Sequence, residues 1–191
     1  MHSSHPATTR KFLPATRVSR EFGRVSRMSP PETLEKLALC VNGRDREARI
    51  APSATLLSVL RADLGLAATR FGCGTERCGA CVVLMDGNPI YSCTLPASAA
   101  AGRTITTLEG LSSDGAATPL QRALVGEQAA QCGYCIPGIA MRASALLASN
   151  SNPSEEEVRS ALDPHLCRCG SHNRIVRAVL AAAREMREAK R

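Results

Sequence analysis

Nine cysteines are the side chains of this sequence best suited to chemistry, and eight of them fall into two groups. The groups are Cys73, Cys78, Cys81 and Cys93, and then Cys132, Cys135, Cys167 and Cys169. Thiolates at such spacings could form disulfides, bind zinc or hold iron–sulfur clusters. The N-terminus has basic residues but lacks the apolar core of a secretory signal. An oxidising compartment is therefore not indicated, which favours metal binding over disulfides.

The first group has the spacing C-x4-C-x2-C followed by a more distant fourth cysteine. Plant-type ferredoxins hold a [2Fe–2S] cluster with this spacing. Gly72, Gly74 and Gly79 would let the loop bend sharply and bring backbone N–H groups to the sulfurs, where they also tune the reduction potential. Cys78 and Cys81 alone would also fit a zinc knuckle or a redox dithiol, but the extra cysteine and the glycines favour the cluster.

The second group combines a C-x2-C pair with a C-x-C pair, and each pair lies between two predicted helices. Two such helix–loop–helix units packed face to face would bring four thiolates together. The C-x-C pair is tight for zinc, whose paired ligands are usually separated by roughly two to four residues. Following the first group in one short chain, the second group predicts another [2Fe–2S] cluster. Cys40 lies apart and is expected to be a buried or half-buried thiol.

Residues 34–112 show the short alternating runs of a small sheet with one packed helix. Asn42-Gly43 predicts a hairpin turn. Ser53 is expected to cap a helix over Leu56 to Leu64, which Gly65 would end. The predicted strands are Leu37–Val41, Glu47–Ile50, Cys81–Met85, Pro89–Ser92 and Ile105–Leu108.

Residues 118–188 show helical periodicity after a linker-like stretch, 111–118. Helices are expected from Pro119 to about Ala130, from Gly138 to Ser149, from Ser154 to about Leu162, and from Arg174, capped by His172 or Asn173, to about Glu188. Strands first and helices second indicate an α+β chain of two domains, 34–112 and 118–188. Each is small enough that a metal site would help to stabilise it.

Residues 1–33 are rich in Ser, Thr, Arg and Pro and are interpreted as a disordered extension or an upstream start before Met28, with an organelle transit peptide as the alternative. Six basic and two acidic residues give this segment a charge of +4 out of the total of +7. The rest is nearly neutral and poor in aromatics, which argues against a nucleic-acid partner. No apolar run is long enough to span a membrane. A cytoplasmic location is expected, because an oxidising compartment is not indicated.

Three segments together resemble the small iron–sulfur subunit of the molybdenum hydroxylases, the family of xanthine dehydrogenase and aldehyde oxidoreductase. They are FGCGTERCGACVVLMDG, QCGYCIPG and HLCRCGSHNRIVRAV. The resemblance covers about Leu34 to Glu188. It implies an N-terminal β-grasp plant-type ferredoxin domain, followed by an all-α four-helix domain with pseudo-two-fold symmetry.

The resemblance also implies an electron-transfer role with no catalytic residues in this chain. The second cluster would lie nearer the molybdopterin (molybdenum cofactor) of a large catalytic subunit, which Gln131 would reach and beside which Cys169 would lie. A flavin subunit or a c-type cytochrome would accept the electrons, and the latter would place the complex at a membrane or in the periplasm. The substrate would be an aldehyde or an aromatic N-heterocycle such as nicotinate or isoquinoline. A free-standing double-cluster ferredoxin and a zinc-stabilised interaction module are the alternatives.

Overall fold

A computed structural model of the chain describes residues 33–112, 115–189 and 191. The described residues all belong to one compact unit. The interpretation of residues 1–33 as an extension or a targeting segment lies outside the described residues, apart from residue 33. All nine cysteines lie within them.

Residues 33–112, here called the sheet part, form a mixed sheet in the strand order β2-β1-β5-β3-β4. The strands are β1 (Glu35–Val41), β2 (Arg44–Ile50), β3 (Val82–Met85), β4 (Asn88–Tyr91) and β5 (Thr104–Thr106). β1 and β2 are joined by the predicted Asn42-Gly43 turn, whose residues have φ values of 54° and 70°. β5 pairs parallel to β1 and antiparallel to β3, and thereby joins the two hairpins into one sheet.

The helix predicted over Leu56 to Leu64 is shorter and less regular than expected. A helix α1 (Leu56–Ser58) passes directly into a π-helical turn, Val59–Asp63. Its cap is Thr55 and not Ser53, because Thr55 is the extended residue that pairs with Pro96 and its Oγ1 accepts from the Ser58 N–H at 3.2 Å. The helix therefore begins directly after a residue that an isolated bridge to Pro96 holds in an extended conformation.

Residues 115–189, here called the helical part, contain α2 (Pro119–Gly126), α3 (Ile136–Ser149), α4 (Glu155–Leu162) and α5 (His172–Glu188). The predicted capping box of Ser154 and Glu157 is present, and Thr118 and Gln121 form a second one that the sequence analysis missed. The residue before α5 is Ser171, so the expected cap at His172 or Asn173 was wrong. Both of those residues already have helical backbone.

Each part has its own apolar core. One core lies between α2, α3, α4 and α5, and the other lies under the sheet against α1 and the π-helical turn. None of the described helices is long and apolar enough to cross a membrane.

The two parts meet where α3 lies against β3 and the loop before it. A Cβ placed on Gly138 of α3 would stand 2.0 Å from the Gly79 carbonyl oxygen. A Cβ on Gly79, whose φ is 73°, would stand 2.3 Å from Nδ1 of His165. The backbone of α3 therefore packs against the backbone of the loop at Gly138, and the His165 ring packs against Gly79, so neither glycine has room for a side chain of its own.

We expect Gly138→Ala to lower the free energy of unfolding by about 1–3 kcal/mol, because its methyl group would be forced into the Gly79 carbonyl. Gly126→Ala is the matched control, since it lies in α2 and a Cβ there meets nothing within 4 Å. There the higher helix propensity of alanine should be neutral or stabilise by up to about 1 kcal/mol. Urea denaturation followed by circular dichroism measures both changes. Equal effects of the two substitutions would contradict the close packing.

Candidate metal centres

The loop between Cys73 and Cys78 directs backbone N–H groups at sulfur. The N–H groups of Thr75 and Arg77 lie 3.4 and 3.2 Å from the Cys73 sulfur, and the Cys73 N–H lies 3.3 Å from the Cys78 sulfur. Burial would raise the pKa of Cys73, but hydrogen bonds from Thr75, Arg77 and the Cys78 thiol outweigh it and lower the pKa to about 6. The loop thus stabilises a thiolate before any metal binds.

Two of the predicted glycines have left-handed backbone in this loop, Gly74 with φ 69° and Gly79 with φ 73°. Gly72 serves a different purpose, because a Cβ there would stand 2.5 Å from the Cys78 sulfur. The expected roles of these glycines, tight turning and close approach to sulfur, are therefore both present.

Cys81 and Cys93 lie on either side of the β3–β4 hairpin and face each other. Both are buried, and Ser92 donates to the Cys81 carbonyl from its N–H at 3.3 Å and from its hydroxyl at 2.7 Å. Burial and the neighbouring Cys93 thiol raise the pKa of Cys81 to about 12. The hairpin therefore holds the distant fourth cysteine against the third.

The second group also comes together, although more than thirty residues separate its two pairs in the chain. The sulfurs of Cys132 and Cys169 lie 3.6 Å apart. Cys135 and Cys167 interact through their side chains, Cys167 acts electrostatically on Cys132, and Cys132 acts electrostatically on Cys135. The loops before α3 and before α5 carry the two pairs, as the sequence predicts for packed helix–loop–helix units.

The second group, like the first, contains thiols whose pKa is lowered and a thiol whose pKa is raised. The Tyr134 N–H and the Cys169 thiol lower the pKa of Cys132. Burial raises the pKa of Cys135 to about 12. In Cys167, backbone N–H groups led by that of Ser171 outweigh burial and lower the pKa. Each group therefore contains at least one thiol of lowered pKa and one thiol of raised pKa, buried in the first group and half-buried in the second, that must lose its proton when a metal binds.

The thiols contact one another as pairs: Cys73 with Cys78, Cys81 with Cys93, Cys132 with Cys169, and Cys135 with Cys167. Among the described residues, no three His, Cys, Asp or Glu side chains converge on a point that could hold one metal ion. Pairs of thiolates are what a two-iron cluster requires, since four cysteines share two irons. The donor set, the pairing and the N–H groups aimed at sulfur fit a [2Fe–2S] cluster at each site.

Three contacts join the loops of the two groups, and sequence reasoning identified none of them. The Leu166 N–H donates to the Cys78 carbonyl at 3.1 Å, and the Tyr134 hydroxyl donates to the Phe71 carbonyl. His165 is 2% exposed and packs on Gly79. Desolvation lowers its pKa to about 4. The motif HLCRC contains His165 and Leu166, but only the fold shows what they touch.

The remaining sequence-predicted residues lie as follows. Gln131 is exposed and directly precedes the exposed Cys132. Cys40 is half-buried within β1, apart from both groups, as expected.

Comparison with known families places two domains on these two sites. A 2Fe–2S iron–sulfur cluster binding domain matches residues 39–107, and a [2Fe–2S] binding domain matches residues 107–180. The first match spans Cys73 to Cys93 and the second spans Cys132 to Cys169.

The chain is also similar to proteins of known activity. One subunit of the nicotinate dehydrogenase of Pseudomonas putida is 49% identical over 80% of this chain and 97% of its own length. The crystal structure of quinoline 2-oxidoreductase from Pseudomonas putida contains a chain with 36% identity and a TM-score of 0.79, over 82% of this chain and 98% of that one. The aldehyde oxidoreductase of Desulfovibrio desulfuricans is 40% identical with a TM-score of 0.77, but the match covers 81% of this chain and only 17% of that one.

The family is shown by the two matching [2Fe–2S] domains and by two relatives aligned over nearly their full length, and the two groups of four thiols agree with it. The chain belongs to the family of small [2Fe–2S] electron-transfer subunits of the molybdenum hydroxylases.

Proposed function

We propose that this chain relays electrons from the molybdopterin centre of a large catalytic subunit to an external acceptor, with four cysteines holding each of two [2Fe–2S] clusters. The observation that supports the relay most directly is the hydrogen bond from the Leu166 N–H to the Cys78 carbonyl. It joins a proposed ligand of the first cluster to the residue beside Cys167, a proposed ligand of the second. When bound, each cluster takes and gives one electron at a time.

The proposed ligands are Cys73, Cys78, Cys81 and Cys93 for the first cluster and Cys132, Cys135, Cys167 and Cys169 for the second. Their side-chain pairing and the backbone N–H groups directed at Cys73 support this assignment. The chain itself moves no proton and attacks no substrate in this proposal. Its residues hold, insulate and tune the redox centres, and the oxidation occurs in the partner subunit.

Gln131 and Cys169 are proposed to face the molybdopterin of the large subunit. The exposure of Gln131 and Cys132 supports this orientation, since the second group opens to the surface at that point. The aldehyde oxidoreductase of Desulfovibrio desulfuricans supports a large partner, because there the matching segment is a small share of a much longer chain.

The finer architecture that we propose is a β-grasp ferredoxin domain over residues 34–112 and a four-helix domain with pseudo-two-fold symmetry over residues 118–188. The parallel pairing of β1 with β5 between two hairpins and the separate apolar cores support this division. A reducing compartment keeps such thiols available for metal, which supports a cytoplasmic location. We propose a flavin subunit or a c-type cytochrome as the electron acceptor.

For the substrate of the complex we propose an aromatic N-heterocycle or an aldehyde. Two of the relatives reported above are named for nicotinate and quinoline, and one for an aldehyde. Expression with the neighbouring large subunit, followed by turnover assays on these two classes of substrate, distinguishes between them.

Serine substitutions test the ligand assignment. We expect Cys78→Ser to abolish only the paramagnetic signal of the first cluster, and Cys167→Ser only that of the second, because serine is a poor replacement for a thiolate on iron. Cys40→Ser is the matched control, since this half-buried thiol touches neither group, and it should keep both signals. Paramagnetic resonance of dithionite-reduced protein measures them. A Cys167→Ser variant with both signals intact would show the assignment to be wrong.

Purification of the chain from its native host tests the relay. An obligate subunit should co-purify with a much larger polypeptide and with molybdenum, whereas a free-standing ferredoxin would elute alone with iron only. Elemental analysis for iron, molybdenum and zinc on the same sample completes the test. A colourless zinc protein would exclude both electron-transfer functions.

A further inference from the structure

The loop around Cys73 contains a residue whose backbone conformation is unusual for its type. Glu76 has a φ of 60°, in the left-handed region that glycine normally occupies. Asn42, Asp86 and Gln128 share this conformation, but they lie in turns or at the end of α2. Among the described residues, Glu76 is the one such non-glycine in the loop between Cys73 and Cys78. Strained backbone at a functional site persists when the surroundings hold it in place.

A hydrogen bond of the Glu76 side chain holds the residue in this backbone conformation. Its Oε1 accepts a hydrogen bond from the Thr94 hydroxyl, eighteen positions away in the chain. Thr94 directly follows Cys93, and Glu76 lies between Thr75 and Arg77, whose N–H groups point at the Cys73 sulfur. The contact therefore connects the loop that wraps one thiol pair to the residue that follows the other pair.

The contact also fixes a negative charge at the open side of this site. Cys73 and Glu76 are both exposed, whereas Cys81 and Cys93 are buried under the hairpin. A carboxylate beside a centre that gains an electron disfavours the reduced form. The neighbouring Arg77 is exposed too, and none of the described ion pairs joins it to Glu76.

We propose that Glu76 is a positioning residue for the first cluster. Through Thr94 it closes the loop over Cys73, and through its charge it keeps the reduction potential of that cluster low. The inference rests on the proposed ligand role of the first cysteine group. Beyond that role, one side chain outside the set of proposed ligands tunes the reduction potential of this cluster.

Glu76→Gln separates the charge from the hydrogen bond, because the amide oxygen can still accept from the Thr94 hydroxyl. In the cluster-loaded chain we expect the equilibrium constant for reduction of the first cluster to rise at least about threefold, about 28 mV for a one-electron couple. The second cluster, measured in the same titration, should not move. The shift should shrink as ionic strength rises, since the group is exposed.

Glu47→Gln is the matched control. It removes one exposed carboxylate from β2, at the edge of the sheet opposite the β3–β4 hairpin, and should leave both potentials unchanged. Redox titration followed by paramagnetic resonance measures all three proteins. A first-cluster potential in Glu76→Gln equal to that of the unaltered chain overturns the proposal.

Thr94→Val tests the closing of the loop, because it removes the hydroxyl at nearly constant side-chain volume. We expect iron of the first cluster to pass to a chelator several-fold faster than in the unaltered chain, whereas Glu76→Gln should release it at the unaltered rate. An unchanged release rate in Thr94→Val overturns the positioning role. Absence of the first-cluster signal from the unaltered chain itself would instead refute the ligand assignment, so the two failures are distinguishable.

Discussion

The close packing of Gly138 on Gly79 is the constraint on which the arrangement of the two centres depends. At this point a helix of one part touches the backbone of the cysteine loop of the other, and no side chain separates them. The Leu166 N–H can then reach the Cys78 carbonyl, and the Tyr134 hydroxyl can reach Phe71. Because electron transfer weakens steeply as separation grows, close contact between the loops of the two cysteine groups suits a relay.

The packing at this junction accounts for the burial of the His165 ring. Neither of its ring nitrogens has a hydrogen-bond partner among the described residues. An uncompensated buried polar group is costly. The ring fills the space above Gly79 that a glycine necessarily leaves empty, and so completes the packing between the two loops. Its lowered pKa follows from burial, from the nearby Arg142 and from His172, all of which disfavour an imidazolium there.

The two cysteine groups limit the repulsion between their thiolates in the same way, although the backbone that carries them differs. Four thiolates repel one another, so a site made only of anions would not assemble readily. Each group contains both a more exposed thiol of lowered pKa and a more buried thiol of raised pKa: Cys73 and the buried Cys81 in the first group, Cys132 and the half-buried Cys135 in the second. Backbone N–H groups provide compensating positive dipoles at Cys73, Cys132 and Cys167. The loop and hairpin around the first group and the loops before α3 and α5 around the second thus present similar sets of four thiols.

The sequence by itself determined the chemistry of this protein: the eight cysteines, their two groups, the turn at Asn42-Gly43 and the cap at Ser154 all follow from local spacing and residue type. Local sequence signals predicted the start of α1 less well, because the helix start involves a residue distant in the chain. Thr55, which pairs with Pro96, caps α1 in place of the expected Ser53. Only the tertiary structure decided which thiols pair, that Leu166 bridges the groups, and that Glu76 reaches Thr94. The physical reason is that hydrogen bonds between residues far apart in the chain form only once packing has brought their backbones together.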